Sequence, residues 1–226
     1  MVEEASDAEL GSQLMAIARN PALRDAVYGR IGEYCHHCRN RLNSLKLSLY
    51  LAKQQASPEL FDRWSGLDRH YGELERKVEH VQRLCRPMTL ARVRINLELL
   101  INDRRSSWSD LWSARHDSLR FIPPREPLVA VLDVDRIAHA LDAVVAWRAE
   151  QGGPDATACL SWWPEAGQAR LAWEESGASP TAPQSDRGWS LPWLTRVIAD
   201  HAGRAEVADR SGWRLDLSWP AAPPDR

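Results

Sequence analysis

Residues 21–55 read PALRDAVYGRIGEYCHHCRNRLNSLKLSLYLAKQQ, and their periodicity decides the first half of the fold. Apolar side chains recur at Val27, Ile31, Cys35, Cys38, Leu42, Leu45, Leu49 and Ala52. Steps of three and four lay a single stripe along an α-helix, and such a stripe needs a helical partner. Pro21 suits the first turn, where its missing N–H removes no bond. From Ala22 to Gln55 the helix runs about 34 residues, roughly 50 Å at 1.5 Å per residue.

Ala56-Ser57-Pro58 interrupts the pattern, with Ser57 able to cap a second helix. Leu60, Trp64, Leu67, Tyr71, Leu74, Val78, Val81 and Leu84 then carry the same spacing to Cys85, and Arg86-Pro87 stops it. Two long helices joined by a tight turn predict an antiparallel hairpin. One hairpin leaves apolar surface on both helices uncovered, so pairing of two hairpins into a dimeric four-helix bundle is expected. Upstream, SDAELGSQLMAIAR at 6–19 predicts a short helix, with Ser6 or Asp7 as its cap.

Beyond Pro87 the texture changes. β-type runs at Arg92–Ile95, Ser118–Ile122, Leu128–Leu132, Thr157–Trp163 and Ala169–Glu174 are interrupted by helical stretches at Leu97–Arg115 and Asp133–Glu150. A third helix at Leu191–His201 precedes strands at Ala205–Ala208 and Trp213–Ser218. This order predicts an α+β fold in which helices cover one face of a mainly antiparallel sheet. The expected organisation is an N-terminal helix in 1–20, a helical hairpin in 21–87, an α/β sandwich in 88–220 and a loose tail in 221–226.

Composition excludes several function classes. A formal net charge of -2 gives no basic field for nucleic acid or anionic lipid. No apolar run reaches the roughly 18 residues of a membrane span, and the acidic start MVEEASDAEL is unlike a secretory signal, so a cytoplasmic protein is expected. Cys35 and Cys38 form a C-x-x-C around His36 and His37. Zinc needs four ligands, however, and no second Cys/His pair follows at zinc-site spacing. The two thiols are read as small apolar residues one turn apart, and no metal site is expected.

The run His36-His37-Cys38-Arg39-Asn40-Arg41-Leu42 resembles the H-box of two-component histidine kinases, whose usual form is H-E-L-R-N/T-P-L. The match sets His36 on the phosphorylated histidine, Arg39 on the basic residue, Asn40 on the polar residue and Leu42 on the core leucine. Its position inside a long helix that precedes a turn and a second helix fits that family. Leu132-Asp133-Val134-Asp135-Arg136-Ile137 followed by Leu141 resembles the run leading into the kinase N-box. LAWEESGASP at 171–180 resembles the G1 box, and GWSLPWLTRVIADHAGRAEV at 188–207 resembles the G2 box with its helix. The resemblance covers residues 22–219 and implies the histidine-kinase ATPase (GHKL) fold for the second half.

Departures from the family pattern bear on function. The two N-box asparagines, which in the family hold Mg²⁺ and phosphate, are matched by Ala143 and Trp147. A methyl group offers an ion no ligand, and an indole fills volume that a nucleotide needs. Glu175 matches the G1 aspartate that accepts from the adenine amine. Gly177 keeps the first G1 glycine, while Ser179 replaces the second. Gly188 survives in the G2 box, whereas Ser190 and Pro192 replace later glycines, and proline also removes an N–H donor. The resemblance therefore implies a degenerate nucleotide site at Ala143, Trp147, Glu175, Gly177 and Gly188. His201 matches the G2-helix histidine and is read here as a helix-end residue beside Gly203.

The implied function is a histidine phosphotransferase of a phosphorelay, acting on response-regulator receiver domains through His36 without ATP-dependent autophosphorylation. Arg39 would offset phosphoryl charge and Asn40 could orient water. Asn43, Lys46, Leu47 and Tyr50 would form the receiver-docking face. Magnesium would come from the receiver, leaving the chain without a cofactor of its own, and a sensor kinase is a further implied partner. Two alternatives stay open: a receiver phosphatase using Asn40, and a non-catalytic pseudokinase scaffold.

Overall fold

The computed structural model describes residues 7–54, 61–115, 118–151, 155–177, 189–209 and 212–222. It divides into two compact units, one formed by residues 21–87 and the other by 1–20 together with 88–226. The helical unit contains α2 (Pro21–Gln54) and α3 (Phe61–Cys85). The connection at 55–60, with the expected Ser57 cap, lies outside the described residues.

The two helices pack antiparallel. Arg39 Nη1 donates to Gln82 Oε1 at 2.8 Å, Tyr71 Oη to the Leu42 carbonyl at 3.1 Å, Lys46 Nζ to Glu75 at 3.3 Å and Lys53 Nζ to Asp68 at 2.7 Å. Each step forward along α2 meets a step back along α3. Cys35, Leu42, Leu84 and Cys85 are buried in this unit. Burial pushes the Cys35 thiol pKa up, and the Cys38 thiol adds to the effect, so the sulfur stays protonated. Leu45, Leu67 and Leu74 of the predicted stripe are exposed.

The second unit contains α1 (Asp7–Arg19), β1 (Val93–Asn96), α4 (Leu97–Ser113), β2 (Ser118–Ile122), β3 (Val129–Leu132), α5 (Val134–Gln151), β4 (Thr157–Glu165), β5 (Gln168–Ser176), α6 (Ser190–Asp200), β6 (Arg204–Asp209) and β7 (Trp213–Pro220). Its main sheet has the order β2-β4-β5-β7-β6, in which only β2 and β4 run parallel. β1 and β3 form a separate antiparallel pair. Alternation along the strands turns Leu160, Trp162, Leu171, Trp173, Leu215 and Leu217 to one face, where they share a core with α4, α5 and α6.

β4 and β5 are longer than their apolar runs because Ala166 (φ 49°) and Gly167 (φ 76°) close them into a two-residue hairpin. Positive φ at both positions matches the natural strand twist, and alanine tolerates it less readily than the asparagine usual there. α1 packs on α6 with Leu14 and Ala18 buried, so the N-terminal segment joins the sandwich. The tail also begins later than its composition suggests. Ala221 N–H bonds to the Gly167 carbonyl at 3.0 Å and Ala222 N–H to Val129 at 2.9 Å. Among the described residues no helix is long and apolar enough to cross a membrane.

The start of α5 is built on Asp133, whose carboxylate accepts from Arg136 N–H at 3.0 Å and from Ala91 N–H at 2.9 Å. An aspartate there satisfies donors that the first helical turn leaves open. His201 sits at the end of α6 and bonds in two directions. Its Nδ1 lies 2.7 Å from the Val197 carbonyl, and its Nε2 accepts from the Asp133 backbone N–H at 2.9 Å. Those partners require a neutral ring with the proton on Nδ1.

Burial lowers the His201 pKa below the usual imidazole value, and Arg92 adds to the shift, against opposing contributions from the Val197 bond, Asp133 and Asp200. The unfolded chain therefore binds a proton that the folded ring refuses, so stability rises with pH. Denaturation midpoints of the wild type are expected to fall as pH drops below about 6.5, the ordinary histidine value. A His201→Gln variant should lack that component of the pH dependence.

Candidate functional site

On α2, His36 and Asn40 stand one turn apart on an exposed face, with Asn40 Nδ2 3.4 Å from His36 Nε2. The i,i+4 spacing brings the two side chains together without any tertiary contact. His37 is also exposed, its ring centroid 6.2 Å from that of His36 in an edge-on arrangement. Arg39 turns toward α3, where Gln82 Oε1 accepts from it; Gln82 itself is buried. Sequence reasoning missed Gln82. The only available signal was a polar residue set between the apolar Val81 and Leu84.

Further along α2, Asn43 is exposed, while Leu47 and Tyr50 are 60% and 59% exposed. Lys46 pairs with Glu75 and lies 5.3 Å from the Tyr71 ring centroid. This surface presents an imidazole-amide pair beside two large side chains and a partly engaged cation. Among the described residues no group of three or more His, Cys, Asp or Glu side chains is placed to hold a metal ion.

In the sandwich unit, the positions matched to the nucleotide boxes meet in a different constellation. Glu175 lies in register with the buried Trp173 and Leu171 of β5, so its carboxylate is directed to the apolar, helix-covered face. Arg148 of α5 meets it there. Arg148 Nε donates to Oε1 at 2.9 Å and Nη2 to Oε2 at 2.5 Å, a bidentate pair. Trp173 Nε1 donates to the same carboxylate at 2.7 Å. The guanidinium carbon is 5.1 Å from the Trp147 ring and 4.4 Å from the Trp213 ring, and both indoles are buried.

Glu175 is thus fully engaged by protein donors. Three charge-assisted bonds and two aromatic faces compensate the desolvation of both ions. Trp147 occupies core volume, and Ala143 sits one turn earlier, half-buried and without a polar atom to offer. Gly177 adopts φ +74°, and a Cβ there would come within 3.0 Å of the Asp155 carbonyl, so this glycine is needed by the backbone. Gly212 lets β7 approach the Glu175 backbone, where a Cβ would clash with its carbonyl oxygen. Gly188 and Ser179 lie outside the described residues.

Arg148 was not foreseen from sequence. Its signal was a charged residue on a helix face otherwise made of Leu141, Val144, Val145 and Ala149. An open cleft of about 470 Å³ is lined by Arg120, Thr157, Cys159, Glu174 and Arg214 and reaches Glu175 and Trp213 of this cluster. Its charges are largely paired internally, since Arg214 binds both Asp216 and Glu174.

Removing one member of a buried ion pair strands the other, which costs about 3–5 kcal/mol. Arg148→Met is expected to lower unfolding free energy by about that amount, measured by urea denaturation, and Arg148→Met/Glu175→Gln should recover part of the loss.

No protein-family model matches the chain, and no curated protein sequence matches it. Solved structures do. The catalytic domain of the histidine kinase ThkA aligns with 58% of this chain and 96% of its own, at 19% identity and a TM-score of 0.52. Full-length ShkA in complex with AMPPNP aligns with 88% of this chain at 16% identity and a TM-score of 0.61. This chain covers 47% of ShkA. The Acinetobacter baumannii histidine kinase AdeS aligns with 81% of this chain and 97% of its own, at 12% identity and a TM-score of 0.55. At these identities the likeness is one of fold: the chain has the mixed α+β fold of histidine kinases.

Proposed function

We propose that the chain is a histidine phosphotransferase of a two-component relay, exchanging phosphoryl groups with receiver domains through His36 and not using ATP. One contrast carries this reading. His36 keeps an exposed ring beside an exposed amide, whereas Glu175, the residue matched to adenine recognition, is closed off by Arg148 and Trp173. A nucleotide entering there would have to displace a bidentate buried ion pair.

His36 Nε2 would attack the aspartyl-phosphate of a docked receiver and later return the group to another aspartate. Magnesium would be held by the receiver, and Arg39, anchored through Gln82, would add positive charge near the reacting phosphate. Leu47 and Tyr50 offer the apolar area that a docking face needs, with Asn43 and Lys46 as polar partners. Exposed Leu45, Leu67 and Leu74 support dimerisation of the two-helix unit into a four-helix bundle. A sensor kinase would be the upstream partner, and a cytoplasmic location follows from working with receivers.

The exposed Asn40 amide favours a second reading, in which the chain is a receiver phosphatase and Asn40 orients the attacking water. A pseudokinase scaffold would use neither residue. The full chain should be incubated with a phosphorylated receiver encoded beside its gene. Label is expected to appear on the wild type and to vanish in His36→Ala. Receiver dephosphorylation lost in Asn40→Ala but retained in His36→Ala would instead select the phosphatase. No label and no faster dephosphorylation would leave the scaffold alone, and magnesium-dependent capture of labelled ATP by the wild type would sink the ATP-free reading.

A further inference from the structure

We propose that Asn40 selects the tautomer of His36, keeping the ring proton on Nδ1 and the lone pair on Nε2, so that Nε2 stands ready to accept a phosphoryl group. The inference rests on the transfer reading above and adds to it a definite proton position. An amide nitrogen donates and cannot accept, so the contact between Asn40 Nδ2 and His36 Nε2 at 3.4 Å leaves the imidazole nitrogen the accepting role. A neutral imidazole whose Nε2 accepts carries its proton on Nδ1.

This outcome is not the default. Histidine free in water favours the Nε2–H form, in which the outward nitrogen carries a proton and has no lone pair to attack with. His37 stands edge-on to the ring, with 6.2 Å between ring centroids, and the Arg39 Nη1 donates to Gln82. The selecting bond lies within one helix, so it survives any change in how α2 meets α3.

The transfer step then balances without a base. The Nε2–P bond forms as the bond between the aspartyl oxygen and phosphorus breaks, and the receiver carboxylate leaves with the electron pair. The Nδ1 proton stays on the ring during attack and passes to water afterwards. As phosphorus takes the Nε2 lone pair, the Asn40 N–H is released and can donate to a phosphoryl oxygen. Asn40 is therefore a positioning residue in the forward step as well as a candidate for orienting water.

Long-range ¹H–¹⁵N correlation on the labelled full chain reads the tautomer directly, with no receiver present. His36 is assigned by comparison with His36→Gln, at alkaline pH where the ring is neutral. The wild type should show His36 mainly as Nδ1–H. Asn40→Leu should revert to Nε2–H, and Asn40→Asp should reinforce Nε2–H, because a carboxylate accepts where the amide donates. An Nε2–H majority in the wild type, or an Asn40→Leu spectrum like that of the wild type, overturns the proposal. A small-molecule donor, phosphoramidate, supplies the chemical arm. Its initial rate of phosphorylating His36 should fall several-fold in Asn40→Leu and further in Asn40→Asp; equal rates would overturn it. The expected spectra and rates combined with no transfer from any receiver would count against the receiver reading alone.

Discussion

A carboxylate on the apolar face of a sheet is a severe demand, and Glu175 makes it. Strand alternation directs its side chain into the same layer as Leu171 and Trp173, away from water. An ionised group there has to be matched in charge and in hydrogen-bond count. Arg148 supplies both bonds of a fork, Trp173 a third donor, and Trp147 and Trp213 the faces that flank the guanidinium. Arg148 ties α5 to β5 at this depth, and a Cβ at position 212 would clash with the Glu175 carbonyl oxygen. The same side chains fill the layer between α5 and β5.

The helical unit is organised the other way round. Its polar residues of interest face solvent, and its buried side chains include Tyr28, Cys35, Leu42, Gln82, Leu84 and Cys85. Cross-helix bonds between Arg39 and Gln82 and between Tyr71 and the Leu42 carbonyl define how the helices face each other, while His36 and Asn40 remain outside that network. The His36 ring is exposed, and its neighbour Asn40 comes from the same helix.

Much of the architecture was legible in the sequence because it is written in local rules. Pro21 marks the start of α2 and Pro87 follows the end of α3. β2 coincides with its predicted run, and Asp133 precedes α5 as a capping residue should. What escaped was pairing at a distance. Nothing in the spacing of α5 says that Arg148 will meet a carboxylate from β5, and Gln82 looks like an ordinary surface amide until Arg39 reaches it. The Ala166-Gly167 turn was also hidden, since alanine is a weak signal for positive φ. Glu175 itself was singled out by resemblance, but its partner was not, so the charge balance could be seen only in three dimensions. The apolar stripe left uncovered by a lone hairpin was also legible, since two helices cover only a narrow seam and leave Leu45, Leu67 and Leu74 to solvent.

The sandwich is assembled from two separate stretches of chain, with α1 contributed from before the long helices and everything else from after them. Seating Leu14 and Ala18 against α6 closes a loop that contains the entire helical unit. Closing so long a loop costs chain entropy that the contact between α1 and α6 has to offset. A fragment beginning after Pro87 would leave the α1-facing surface of α6 bare, so the sandwich has no natural cut point on its N-terminal side.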